Sequence, residues 1–254
     1  MDKKTIAGNF SRYARTYDAY ADIQRKTGLE LLSWVKKGRF KSIMELGCGT
    51  GNYTLLLRER FKNAKIRAVD ISDKMIEIAG DKLWDKGVEF MVRDAEGLAM
   101  YEEFDLITSN ACLQWFQDLE KALAGYRAML KKNGVILFSS FGPLTFRELG
   151  YSLRGALKNS AVAADGFISG NETKMILRDN FKDAEIKEVR YEESFDSLIA
   201  LLNKIKHTGE RGAGIGDKFS FSRRALGEIE RVYLNRFHRI KATYQVFFCR
   251  GRAG

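Results

Sequence analysis

The stretch Ile43–Thr54, IMELGCGTGNYT, decides the fold. An apolar run ends in three glycines, Gly47, Gly49 and Gly51, spaced G-x-G-x-G, and a helical pattern follows at 52–61. Glycine lets backbone approach a bound group closely, and the start of a helix offers unpaired N–H groups to a polar ligand. A dinucleotide-binding fingerprint would want its third small residue at 52, where this chain has Asn52. The loop therefore reads as a cofactor loop of another kind, or as a simple connection.

Outward from the loop, 42–47, 65–72, 88–94, 104–111 and 135–142 read as strands. Helical patterns lie between them at 52–61, 72–83 and 118–134, the last with Asp118 as N-cap and Gly134 as its stop. Repeated strand–helix–strand units predict an α/β fold, a mostly parallel sheet with helices on both faces. After Pro143, the only proline, the alternation breaks. Helices are predicted at 145–159 and 171–181, a sixth strand at 184–195, and two more helices at 196–209 and 222–238 around a glycine-rich turn. A seventh strand closes the pattern at 240–251. The predicted organisation is a helical cap (1–40), a core (41–195), a helical lid insertion (196–238) and a final core strand (239–254). An insertion of that length before the last strand is too long for a plain connection.

Composition narrows the class. The chain has 254 residues, 45% of them hydrophobic, enough for one large domain with an added lid. The absence of a long apolar run argues against a spanning helix, and an N-terminus without an apolar signal core reads as cytoplasmic. Cys48, Cys112 and Cys249 read as free thiols, and two histidines, His207 and His238, with no Cys/His cluster make a metal site improbable. The net charge of +10 is unevenly placed: residues 1–40 carry +5, 200–254 carry +8 and the centre −3. Such ends make either a solvated basic surface or a contact for an anionic partner.

The acids complete the loop's reading. Asp70 ends the second strand, where a carboxylate accepts hydrogen bonds from ribose hydroxyls. Glu45 lies two residues before the loop, Asp94-Ala95 follows the third strand, and Asn110 ends the fourth. The set E-x-G-C-G-x-G, acid after strand two, and D-A after strand three resembles the class I S-adenosylmethionine-dependent methyltransferases, with their Rossmann-like seven-stranded sheet. The resemblance covers about residues 40–142. It implies that Gly47, Cys48, Gly49 and Gly51 pass beneath the methionine part of the cofactor and that Asp70 takes the ribose. Ile71 and Met75 would flank the adenine, Asp94 and Ala95 meet its edge, and Tyr17 fold over the cofactor. Met75 and Tyr17 would serve equally well as packing residues of their helices.

The acceptor is read from the segment after strand four. Leu113-Gln114-Trp115 is not the Pro-Pro-aromatic turn of an exocyclic-amine enzyme, and no Pro-Cys pair exists for cytosine-carbon chemistry. Basic charge alone does not make a nucleic-acid enzyme. SNACLQWF (109–116), FSSFGPLTFREL (138–149), IKHTG (205–209) and the last strand together resemble one family nearly end to end. It is the malonyl-acyl-carrier-protein O-methyltransferases of biotin synthesis (BioC). That resemblance implies methylation of the free carboxylate of a malonyl thioester, with carrier protein or coenzyme A as partner and neither nucleic acid nor membrane. A carboxylate, already ionised at neutral pH, needs no general base. A cation on its far oxygen would orient it, and Arg147 is the first candidate, an arginine that would otherwise be a solvated helix-face residue. Gln114, Trp115, Lys206 and His207 are candidate pocket residues, and Trp115 and His207 would equally be structural. Arg211, Lys218, Arg223, Arg224 and Arg231 are candidate contacts for an acidic carrier. Three other readings stay open: another small acid as acceptor, an RNA-binding protein with a vestigial pocket, and a nicotinamide oxidoreductase.

Overall fold

The computed structural model describes residues 2–35, 40–157, 160–209 and 221–254. Two helices come first, α1 (Lys3–Tyr17) and α2 (Asp22–Ser33). Then alternate β1 (Ser42–Leu46), α3 (Asn52–Arg60), β2 (Lys65–Asp70), α4 (Asp73–Lys82), β3 (Val88–Val92), β4 (Phe104–Asn110), α5 (Leu119–Met129) and β5 (Leu130–Phe141). The chain continues with α6 (Arg147–Ala156), α7 (Gly170–Asn180), β6 (Lys182–Phe195), α8 (Leu198–His207), α9 (Arg223–Phe237) and β7 (Ile240–Arg252). The seven strands form one sheet in the order β3-β2-β1-β4-β5-β7-β6. The pairs from β3 to β5 are parallel, and β7 runs antiparallel to both its neighbours.

Side-chain alternation explains why both faces are covered. Ile43, Leu106, Val135, Leu137, Val246 and Phe248 point to one face, where α2, α3, α6, α8 and α9 pack. Their neighbours Met44, Ile107, Ile136, Phe138 and Phe247 point to the other, against α5 and α7. A strand buried on both faces reads as a continuous apolar run, which is how β1, β4 and β5 read in the sequence. The outer strands differ: β3 and β6 leave many residues exposed, and the charges on β6 keep that edge solvated.

One boundary differs from the sequence expectation. The helix starting at Asp118, whose side chain accepts from the Lys121 amide, ends at Met129 rather than at Gly134. Strand β5 begins at Leu130, paired with Phe104, and Asn133 takes φ +62° where the register shifts. A Cβ on Gly134 would sit 2.8 Å from the Lys131 carbonyl and 3.0 Å from that of Phe104. The glycine permits a close strand approach and does not stop a helix. Among the described residues no helix is long and apolar enough to cross a membrane, and none of the His, Cys, Asp and Glu groupings suits a metal ion.

Candidate active site

The carboxyl ends of β1, β2 and β4 open on a cleft whose floor is the glycine loop. Gly47 and Gly49 take φ of +68° and +54°, a conformation glycine adopts without strain. A Cβ on Gly49 would meet no atom within 4 Å, so the backbone there faces open space in the cleft. Gly47 is different: a Cβ would come within 2.3 Å of the Cys112 sulfur. Gly51, at φ +82°, would collide with Leu83 and Ala79 of the α4 segment. It serves helix packing and does not reach the cleft wall.

Asp70 organises the floor. Its Oδ2 accepts from the Gly49 amide at 2.9 Å and its Oδ1 from the Ser72 amide at 2.9 Å. Both oxygens keep lone pairs for a ligand. Burial pushes its carboxyl above the ordinary value, against the pull of those amides. Glu45 lies behind the loop, fully buried, and its Oε2 has no hydrogen-bond partner among the described residues. Burial pushes this carboxyl up to about 8, and the nearby Asp70 charge adds to the push. Burial also pushes the Cys112 thiol up, to about 12, and raises that of Cys48, so neither is poised as a nucleophile.

Ile71, Met75, Asp94 and Ala95 line the cleft on the β2–β3 side of the loop. Asn110 lines it on the β4 side, its Oδ1 accepting from Thr27 and Ser139 at 2.8 Å and its Nδ2 donating to the Gln24 carbonyl at 2.8 Å. Tyr17 and Trp115 are also on the wall, with Phe10 edge-on to both. Most of the cofactor residues read from the sequence therefore meet in one place. Two do not touch the cleft: Glu45 supports the loop from behind, and Gly51 packs on α4.

The acceptor candidates are dispersed. Arg147 begins α6 and donates from Nε to Glu148 at 3.1 Å, away from the cleft wall. Glu148 is fully buried and accepts from the Thr243 amide and hydroxyl at 3.0 and 2.6 Å. The segment FGPLTFREL thus fastens α6 to β7. Gln114 is turned inward, donating to the Ala111 carbonyl. Lys206 and His207 end α8 and pack on α1. His207 stacks on Tyr20 with ring centroids 4.4 Å apart, and its Nδ1 is 2.8 Å from the Thr16 hydroxyl. Lys206 sits over the Tyr13 ring. Arg223, Arg224 and Arg231 are exposed on α9, while Arg211 and Lys218 lie outside the described residues.

The cleft has a helical wall that the sequence reading did not assemble. From α1 come Lys3, Ile6 and Phe10, and from α2 come Gln24, Arg25, Gly28 and Leu29. The wall is tied to the floor by side chains. Lys3 donates to Asp94 at 3.2 Å and pairs with Glu96. Ser11 shares a hydrogen bond of 2.8 Å with Ser72. Asp18 accepts from Thr50 at 2.5 Å, from Asn52 at 2.9 Å and from Lys82 at 2.8 Å. The i, i+3/i+4 spacing of Ala21, Gln24, Arg25 and Gly28 could have marked a common helix face, but not what that face meets.

The floor fits S-adenosylmethionine. Gly49 leaves a cradle that a side chain would fill, and Asp70 offers acceptors where a ribose needs them. Comparison with known proteins agrees. The sequence profile described as a methyltransferase domain matches residues 44–138. Malonyl-[acyl-carrier protein] O-methyltransferase 1 of Ilyobacter polytropus is 35% identical over 240 residues, covering 93% of this chain and 88% of that protein. The malonyl-[acyl-carrier protein] O-methyltransferase of Acetivibrio thermocellus is 33% identical over 270 residues, covering 99% of this chain and 94% of that protein. The crystal structure of YcgJ from Bacillus subtilis shares the fold, with a TM-score of 0.62 at 17% identity over 89% of this chain and 97% of that one. With a glycine-loop floor, a ribose-site carboxylate and kinship along nearly its whole length, the chain belongs to the malonyl-[acyl-carrier protein] O-methyltransferase family of class I methyltransferases.

Proposed function

We propose that the chain methylates the free carboxylate of a malonyl group held as a thioester on an acyl carrier protein, a step in making the biotin precursor. The observation that carries this reading is the near-full-length kinship, which includes the acceptor-side segments as well as the cofactor loop. Bound S-adenosylmethionine supplies a methyl group on a positively charged sulfur, which a carboxylate oxygen takes, leaving a neutral thioether and a methyl ester.

The chain's own residues supply position and dryness. Asp70 would hold the ribose, Gly47 and Gly49 would pass under the amino-acid part, and Ile71 and Met75 would bracket the adenine. No general base is needed, since a carboxylic acid with a pKa of ~4 is already ionised at neutral pH. Phe10, Tyr17, Trp115 and Phe116 make an apolar wall that excludes water, so that a carboxylate loses solvation as it approaches the methyl group. Helix α8, packed on α1, would serve with α9 as the lid over this entrance.

The exposed Arg223, Arg224 and Arg231 are proposed to steer the acidic carrier. The direct test is transfer of labelled methyl from S-adenosylmethionine to malonyl-carrier protein, malonyl-coenzyme A and free dicarboxylates. The expected product is a base-labile ester on the thioesters, and labelling of the free acids alone would sink the reading. Screening length falls from ~30 Å at 0.01 M salt to ~10 Å at 0.1 M. The specificity constant for the carrier should therefore drop over that range more than that for the coenzyme A thioester. Charge reversal of Arg223 and Arg224 to Glu should slow the carrier reaction selectively.

A further inference from the structure

A chain of four charged side chains runs from the sheet edge to the cleft. Glu193 of β6 meets Lys204 of α8, with Nζ to Oε1 at 2.5 Å. Lys204 also reaches Asp22 Oδ2, in the first turn of α2, at 3.2 Å. The other oxygen of Asp22, Oδ1, accepts from Arg25 Nη2 at 2.7 Å. Tyr244 of β7 adds a hydrogen bond of 3.3 Å to Glu193. Three of the links join different elements, and the last residue, Arg25, is on the cleft wall.

The position of Arg25 says what it can hold. The strand order β3-β2-β1-β4 sets the order along the cleft: Asp94 follows β3, Asp70 ends β2, the glycine loop follows β1 and Asn110 ends β4. Past the loop, at the β4 side, comes the face of α2, where Thr27 and Gln24 bond Asn110. A Cβ on Gly28 would be 3.1 Å from the Tyr53 ring and 3.4 Å from the Asn110 amide nitrogen, and the Gln24 carbonyl accepts from that same nitrogen. Arg25 therefore belongs to the end opposite the adenine residues, where the amino-acid part of the cofactor, with its carboxylate, would end. Arg25 is the one arginine among the described residues of the cleft wall, and a guanidinium has five N–H donors, of which Asp22 engages one nitrogen.

The state of Lys204 is harder to explain as stabilisation. Its side chain is only 7% exposed, and burying an ion pair is at best weakly stabilising compared with an apolar side chain of similar size. Its effect on Asp22 is specific. Lys204 draws Oδ2 toward itself and competes with Arg25 for it, and Asp22 meets Arg25 with one oxygen only. Without Lys204, the carboxylate is released to take the guanidinium with both oxygens, the stronger two-pronged arrangement. That grip would draw Arg25 toward Asp22 and out of the cleft. Although burial pushes the Asp22 carboxyl upward, Lys204 and Arg25 together hold it below the ordinary range, so it stays charged.

We propose that Arg25 anchors the cofactor's carboxylate and that Lys204, a positioning residue on α8, keeps it available by dividing the attention of Asp22. The proposal rests on the cofactor and not on the identity of the acceptor. Its test is therefore binding, read by calorimetry without turnover. S-adenosylhomocysteine carries the carboxylate, and 5′-methylthioadenosine lacks the amino-acid part. Arg25→Ala should weaken S-adenosylhomocysteine about tenfold or more, the usual scale for a charged hydrogen bond, and leave 5′-methylthioadenosine unchanged. Arg25→Lys should recover part of the loss. Lys204→Met should weaken S-adenosylhomocysteine severalfold and should add nothing in the Arg25→Ala background. If Lys204→Met does not fold, the double variant Lys204→Met/Glu193→Gln removes the stranded carboxylate and carries the same expectation. Equal losses for both ligands overturn the anchor. Full additivity of the Lys204 and Arg25 changes overturns the relay. Unchanged S-adenosylhomocysteine affinity in Arg25→Ala, with a raised KM for malonyl thioester, overturns the cofactor assignment and gives Arg25 to the acceptor's carboxylate.

Discussion

The two sides of the cleft are built from different materials. The floor is backbone and buried acid: two glycines with positive φ, the amides of Gly49 and Ser72 on Asp70, and Glu45 sealed behind. The wall is side chains on α1 and α2, joined to the floor by bonds such as those of Lys3, Ser11 and Asp18. A floor of this kind has one geometry. The α1 part of the wall, tied down by partly exposed polar contacts, can part from it at modest cost, since such pairs contribute only about 0.2–1 kcal/mol each, whereas α2 is anchored in the core by Ile23, Leu31 and Leu32. The difference suits a site that must bind a large cofactor and release its product every turnover: shape comes from the rigid side and access from the other.

Four experiments bear on that contrast. The largest effect belongs to Gly49→Val. Its side chain would project into the cleft from a left-handed backbone, so S-adenosylhomocysteine binding should be lost in calorimetry. Retained binding in a folded variant would break the account of the floor. Asp70→Ala comes next, with a loss of about 1.5–3 kcal/mol in cofactor affinity, the range for hydrogen bonds to a charged group.

Glu45→Gln probes the floor through pH. Between the ordinary carboxylate value and about 8, Glu45 is protonated in the folded chain and ionised in the unfolded one. Folding takes up a proton in that window, so stability falls as pH rises through it. Wild type should lose on the order of 4 kcal/mol more than Glu45→Gln between pH 5 and 9, read by thermal melting at each pH. Parallel curves for the two proteins would show that Glu45 is not buried as described. The smallest effect is expected on the wall. Asp18→Asn removes the charge that Thr50, Asn52 and Lys82 share, and should cost about 1 kcal/mol of cofactor affinity. The change should fall on dissociation rather than association. An Asp18→Asn loss as large as that of Asp70→Ala would erase the distinction between the two sides.

The floor was legible because its signals are local. Strand, glycines and the acid after the next strand sit at short, regular spacings, and each residue type has a backbone reason to be there. The wall was not, because its contacts are distant in sequence. Asn52 served only to argue against a dinucleotide site, while in space it bridges Asp18 and Lys82. Arg147 seemed free to hold a carboxylate because the sequence does not reveal that Glu148, beside it, is buried against Thr243. Arg25 sits on an ordinary amphipathic helix, and nothing near it in sequence marks the cleft. Gly134 read as a helix stop for the same reason: the carbonyl of Phe104 that it must clear lies on another strand.

The order of the strands also sets a timetable. Strand β7 enters between β5 and β6, so that Val135 pairs with Arg252 and Phe141 with Val246. Until that segment arrives, β5 and β6 each have an unpaired edge facing the gap it will fill. Contacts this far apart along the chain close slowly, after the local strand–helix units have formed. A nascent or refolding chain should therefore pass through a stage with the glycine loop already shaped and an apolar strand edge still bare. Such edges invite pairing with other chains. The weak moment of this molecule is then its last strand's insertion, far from the cofactor loop, and crowding or dilution during refolding should change yield more than any change at the site itself.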